Sequence, residues 1–182
     1  MDKQTLHNKI IWDEYGVGSI NIMVPLFGKE LEFKLYTQEG ETPEISEKMY
    51  CTVNDVQDLS PTLVETIKDL LWEEADFSFT VADYGCVPQS DETPKEAHFR
   101  EFGLSNKDDC YAKCQVKGVQ IAYESEQYNG RYAEIKIDTA TDNLISIIVK
   151  NGKIIDYDDD GTYLGWFEND EQYAHNKRSK LL

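Results

Sequence analysis

Basic residues are scarce in this chain. Lysine and arginine together number 18 against 35 aspartates and glutamates, a formal net charge of −17 over 182 residues. Such a surface repels the phosphates of nucleic acid and the anionic face of a membrane. It attracts a basic protein or divalent cations, and it also serves plain solubility. Histidine is scarcer, with only His7, His98 and His175, far apart in sequence; that spacing favours solvated or packed imidazoles. Of the four cysteines, Cys51, Cys86, Cys110 and Cys114, only the last two are close. Their C-x3-C spacing is not that of zinc ribbons or thioredoxin-like sites. No window is apolar enough to cross a bilayer. The stretch MDKQTLHNKIIWDEYG lacks the basic start and long apolar run of a secretion signal. A cytoplasmic protein with reduced thiols is the expectation.

Catalytic motifs are missing too. There is no G-x-S-x-G, H-E-x-x-H, glycine-rich phosphate loop or GKS/GKT. No pair of carboxylates stands out as acid and base. Cys86 with His98 would be a cysteine–histidine pair, but no local motif supports it. Repeats of fixed period, heptads and Gly/Ser linkers are likewise absent.

What the chain does contain is enough for a core: 40% hydrophobic residues, 12% of all residues aromatic. The most informative stretch runs from Arg131 to Glu168. Three short runs rich in Ile, Val and Tyr are separated by turn residues, which predicts consecutive antiparallel strands. Asn151-Gly152 takes positive φ at little cost and closes a two-residue hairpin. Leu144 to Val149 is apolar on both faces, as in the middle of a sheet. Upstream, Ser19 to Pro25 and the alternating Leu31, Phe33 and Leu35 predict a first hairpin. Trp12 and Tyr15 are expected to seal an edge of the core.

Two helix starts are built alike. Thr42-Pro43 and Ser60-Pro61 each put a hydroxyl at the N-cap and proline at the first helical position. They predict helices near 43–57 and 61–76. The outer side of the second carries Glu65, Lys68, Asp69, Glu73 and Glu74 and is expected to be solvated. Phe77, Phe79 and Val81 alternate like a short strand. Thr93 to Glu96 forms a capping box for a short helix ending by Gly103. Residues 105–112 read as a turn or the approach to a strand, and Gln115 to Tyr123 as a strand. The fold class is α+β, an antiparallel sheet with two to three helices on one face, as one domain over 1–174. The 82–95 loop is the one internal boundary on offer, and 175–182 reads as a basic flexible tail.

Two constellations near the C-terminus bear on function. Asp156, Asp158, Asp160 and Gly161 match D-x-D-x-D-G, the opening of a calcium loop. The twelfth position should then be a bidentate Glu, but it is Phe167, with Glu168 one place late. The alternative is an acidic turn between strands. Calcium is the only cofactor the sequence raises. The second constellation places Asp158, Asp159, Asp160, Glu168 and Asp170 beside large aromatics, above all Trp166. Carboxylates steer a basic partner and the rings supply desolvated anchors. Burial of some of those rings in the core is the competing reading.

The order of pieces resembles a group of uncharacterised bacterial domains. Trp12, Asp13 and Gly16 with the hairpin at 19–36 carry the first part of that likeness. Asp158, Asp160, Gly161, Gly165 and Trp166 carry the second. Some such small acidic domains look like immunity proteins of bacterial toxin–immunity systems, which bind and neutralise a toxin without enzymatic activity. The charge and the missing catalytic motifs point to a non-enzymatic acidic domain that binds a basic protein and neither nucleic acid nor membrane; the resemblance adds that such a partner is a toxin. A calcium-stabilised β-domain and an enzyme with an unread site are the alternatives.

Overall fold

The computed structural model describes residues 2–37 and 43–182. In chain order its elements are α1 (Lys3–Lys9), β1 (Ile11–Trp12), β2 (Val17–Val24), β3 (Lys29–Tyr36), α2 (Glu47–Gln57) and α3 (Val64–Val81). After these come α4 (Pro94–Phe102), α5 (Lys107–Lys113), β4 (Gln115–Ile121), β5 (Tyr132–Asp138), β6 (Leu144–Lys150) and β7 (Lys153–Asp159). Two short helices, α6 (Trp166–Asn169) and α7 (Tyr173–Ser179), complete the set.

The strands form one seven-stranded sheet in sequence order. Every neighbouring pair is antiparallel except β3 and β4, which run parallel with Phe33 opposite Val119. That seam explains the helical middle. Parallel neighbours cannot be joined by a tight turn, so the chain needs a crossover, and α2 to α5 lie within it.

One face of the sheet carries Ile22, Leu31, Phe33, Ile121, Ile135 and Ile147, packed with Met49, Val53, Ile67 and Leu71 of α2 and α3. Among the described residues the opposite face is covered only towards its β7 end, where Tyr132 and Ile148 meet Leu164, Phe167 and Ala174. The α+β class and the largely antiparallel sheet therefore stand. The expected two to three helices on one face do not: the described residues hold seven, and α6 and α7 sit on the second face.

Local signals account for much of this. Asn151 and Gly152 both have positive φ, 50° and 75°, and close the β6–β7 hairpin. Thr93 and Glu96 make the reciprocal capping box, and Gly103 ends α4 in the left-handed region. Other expectations need correction. Thr42 lies outside the described residues. The helix after it starts at Glu47, where Ser46 accepts from the Met49 N–H. Residues 61–63 are a 3-10 turn that runs into α3, and α3 continues to Val81. Phe77, Phe79 and Val81 are thus helical. No turn residue stops the helix after Asp76, and Leu71, Ala75 and Phe79 keep a four-residue buried spacing. Glu74 is buried at 3% exposure, not solvated. Asn106 caps α5 by accepting from the N–H groups of Asp108 and Asp109, so 107–113 is helix. Trp12 does pack against the core, but Tyr15 is 74% exposed. Residues 175–179 lie in α7, with Arg178 buried, where a loose tail is predicted. Its charge is what anchors it.

Candidate functional site

Strand β7 ends the sheet, and α7 lies along it. Asp156 and Asp158 sit opposite Ile148 and Ser146, on the partly covered face. Arg178 reaches over them. Its Nη2 donates to Asp156 Oδ1 at 2.7 Å and to Glu73 Oε1 on α3 at 2.8 Å. Its Nη1 donates to the Tyr157 carbonyl at 2.6 Å. The second oxygen of Asp156 accepts the His175 N–H at 2.8 Å, so a buried carboxylate holds the first turn of α7. Asp158 accepts from Thr162 Oγ1 at 2.8 Å and from Lys177 Nζ at 3.3 Å. Asp160 accepts from Lys136 Nζ at 2.7 Å.

The D-x-D-x-D-G segment is therefore mostly strand, and its three carboxylates face three different cations. Among the described residues, no group of three or more His, Cys, Asp or Glu side chains is placed to hold a metal ion. Glu168 is internal in its bonding as well. It accepts from the Asn129 N–H at 2.7 Å, the Gly130 N–H at 3.3 Å and Tyr132 Oη at 2.7 Å. Burial acts to raise its carboxyl pKa, but these donors hold it below the ordinary value. The partner phenol of Tyr132 is pushed well up, first by burial and then by Glu168.

What remains outward along residues 159–170 is a set of acids and rings. The Asp159 side chain is 89% exposed and that of Asp160 is 48% exposed. Asp170 is exposed and accepts from the Gln172 N–H at 3.0 Å and Asn176 Nδ2 at 3.1 Å. Trp166 is 43% exposed although it opens the helix whose next residue, Phe167, is fully buried. Its ring stacks on Tyr173 with centroids 4.7 Å apart and meets the edge of Tyr163 at 5.7 Å. Tyr163 in turn stands edge-on to Tyr128 at 6.2 Å. Gly165 permits this ladder, since a Cβ there would lie 2.5 Å from the Tyr163 ring. Of the six residues proposed for partner contact, Asp159, Asp160, Trp166 and Asp170 face outward. Asp158 and Glu168 hold the fold.

A second polar site escaped sequence reading. Lys136 is 5% exposed and donates to Glu134 at 2.6 Å, to Ser146 at 2.7 Å and to Asp160. The alternation in Ala-Glu-Ile-Lys-Ile puts Glu134 and Lys136 on one face, and that was the available signal. Beside them a recess of about 360 Å³ opens over the uncovered half of the sheet. Its charges are mutually paired, with Lys117 at 2.8 Å from Asp138.

Cys110 and Cys114 are not poised as nucleophiles. Burial pushes Cys110 up to about 11, helped by the Glu74 and Asp109 charges, and burial raises Cys114 as well. Nε2 of His98 accepts from the Tyr84 N–H at 3.3 Å and its Nδ1 has no partner, so the imidazole does not engage Cys86. Among the described residues no helix is long and apolar enough to cross a membrane. Comparison of the chain with protein-family models, with curated proteins and with solved structures finds no match in any of the three.

Proposed function

We propose that this protein is a non-enzymatic binding domain, immunity-like in kind, that presents the corner around Trp166 to a basic partner protein such as a toxin. The observation that carries the reading is the exposed Trp166–Tyr163 pair, braced by Tyr173, in a segment whose carboxylates Asp159 and Asp170 are also exposed, with Asp160 at the rim of the open-sheet recess. Rigid aromatic anchors within a field of carboxylates suit a basic protein surface. The net charge of −17 adds long-range attraction of the same sign. Asp158 and Glu168 take a supporting part, since they hold the β7 end and the 129–130 loop in place.

The test compares the natural chain with a double variant carrying Asp159→Asn and Trp166→Ala. Both are immobilised and exposed to lysate of the source cell at low salt, then washed at high salt. A basic protein held by the natural chain, released by salt and not held by the variant, supports the proposal. Equal retention on both contradicts it.

A further inference from the structure

The two ends of the sheet are guarded differently. At one end β7 carries Lys153, Asp156, Asp158 and Asp159, and Arg178 of α7 bonds its backbone and its carboxylate. Charge and cover are the usual means by which an edge strand is kept from pairing with another chain. At the other end β2 has little of either. No Asp, Glu, Lys, Arg or His occurs from Tyr15 to Gly28, in a chain whose net charge is −17. Strand β1 pairs with β2 only through Ile11 opposite Ser19 and Trp12 opposite Gly18. Among the described residues, no strand pairs with Ile20–Val24 on that side.

The backbone of that segment is turned outward. The Asp13 N–H donates to the Val17 carbonyl at 3.0 Å, so the polar groups of Val17 face β1. Alternate residues of an antiparallel strand present theirs to the same side. Those of Asn21 and Met23 therefore point past the end of β1. Val24, of the other parity, accepts the Gly28 N–H at 3.1 Å in the turn to β3. Helix α1 does not extend the pairing. It turns towards α2, where Lys3 meets Glu47 at 3.4 Å and Leu6 joins the core. The side chain of Asn21 is exposed, Met23 is 50% exposed and Ile11 is 77% exposed.

We infer that β2 is a self-docking edge, at which two copies of this chain pair antiparallel through Ile20–Val24 about a two-fold axis at Ile22. In that register Asn21 lies opposite Met23 of the second copy, and their outward N–H and C=O groups exchange hydrogen bonds. Ile20 lies opposite Val24 on the core side. No like charges meet across the pair, which is what two molecules of the same strong sign require. The β7 edge does not serve. Pairing with itself would set its aspartates together, and α7 obstructs pairing with β2 of another copy. Assembly therefore closes at two copies and does not run on into a filament. The inference is independent of the basic partner, whose docking corner lies at the β7 end of the sheet.

The experiment is analytical ultracentrifugation of the full chain from micromolar to millimolar concentration, at low and at high salt. The expected result is a reversible monomer–dimer equilibrium that tightens as salt rises, because screening removes the repulsion between acidic copies. A complex with a basic partner has the opposite salt dependence, so the two readings fail separately. Met23→Lys and Asn21→Lys, both at exposed positions, bring like charges to the two-fold axis. Each should weaken the dimer by about tenfold or more. Slower amide exchange at Asn21 and Met23 in the dimer would support the register. A monomer throughout the range at both salt concentrations would overturn the inference, as would a dimer unchanged by a folded Met23→Lys. Growth beyond the dimer with concentration would overturn it too.

Discussion

The guanidinium of Arg178 lies over the ring of Tyr157, 3.7 Å from its centre. One residue of a short C-terminal helix thus covers the ring, the carbonyl and the neighbouring carboxylate of the last strand. An edge strand otherwise offers open backbone for pairing with other chains, and α7 occupies that side of β7. The same contact joins the sheet to α3 through Glu73. The C-terminal helix is therefore a structural clamp, and the exposed corner next to it is held on a rigid base.

Arg178→Met should cost about 3–5 kcal/mol, because it leaves Asp156 buried without its cation. Asp156 is 3% exposed, so water does not replace the lost charge. Urea unfolding followed by circular dichroism measures it. A change below 1 kcal/mol, roughly the worth of a surface pair, would mean that the pair is solvated in solution.

The aromatic ladder separates binding from folding. Phe167→Ala removes a fully buried ring and should destabilise by about 3–5 kcal/mol. Trp166→Ala, one residue earlier, should leave the cooperative unfolding transition in place and cost the partner complex about 2 kcal/mol or more, some thirtyfold in affinity. Thermal melts and binding isotherms on both variants check the contrast. Loss of folding in Trp166→Ala would assign that ring to the core.

Stability should fall at both ends of the pH range. The Glu168 carboxyl is held below its ordinary value of 4.5. A depressed folded pKa contributes stability that is present above 4.5 and is lost as pH falls through the folded value. Glu168→Gln should flatten the acid limb. The phenols of Tyr132 and Tyr157 are raised above their ordinary 10.0, chiefly by burial. Their contribution is present below 10.0 and is lost as pH rises, because the unfolded phenols ionise first. Tyr132→Phe should reduce the alkaline loss. A denaturant-midpoint series across pH tests both limbs, and variants parallel to the natural chain at either end would refute that assignment.

Calcium in millimolar excess should leave the melting temperature unmoved. Asp156, Asp158 and Asp160 are each bonded to a different side-chain cation, and a bound metal would have to displace all three. A saturable rise on adding calcium, reversed by a chelator, would contradict this arrangement.

Local chemistry made part of this fold legible. Asn151-Gly152, the Thr93–Glu96 box, Gly103 and the alternation of Leu31, Phe33 and Leu35 each act within a few residues. What was hidden depends on distant partners. Glu74 reads as an outer-face acid until Thr141 and Asn143, far along the chain, are seen to bond it. The basic tail reads as frayed until Asp156 and Glu73 are placed beside Arg178. Nothing local marks the parallel seam between Phe33 and Val119, because it rests on the whole helical crossover. The site divides the same way. Exposure of Trp166 and Asp159 matches the acid–aromatic pattern, whereas Asp158 and Glu168 carry the same signature and serve the interior.

The most direct test of the docking corner is the affinity of the basic partner for three single variants, measured at two salt concentrations. Trp166→Ala and Asp159→Asn alter the corner. Asp138→Asn alters the recess over the open half of the sheet, where Asp138 pairs with Lys117. The account predicts weakened binding with Trp166→Ala, a flatter salt dependence with Asp159→Asn, and natural affinity with Asp138→Asn. Natural affinity in the first two with loss in the third would move the interface to the open sheet and contradict it.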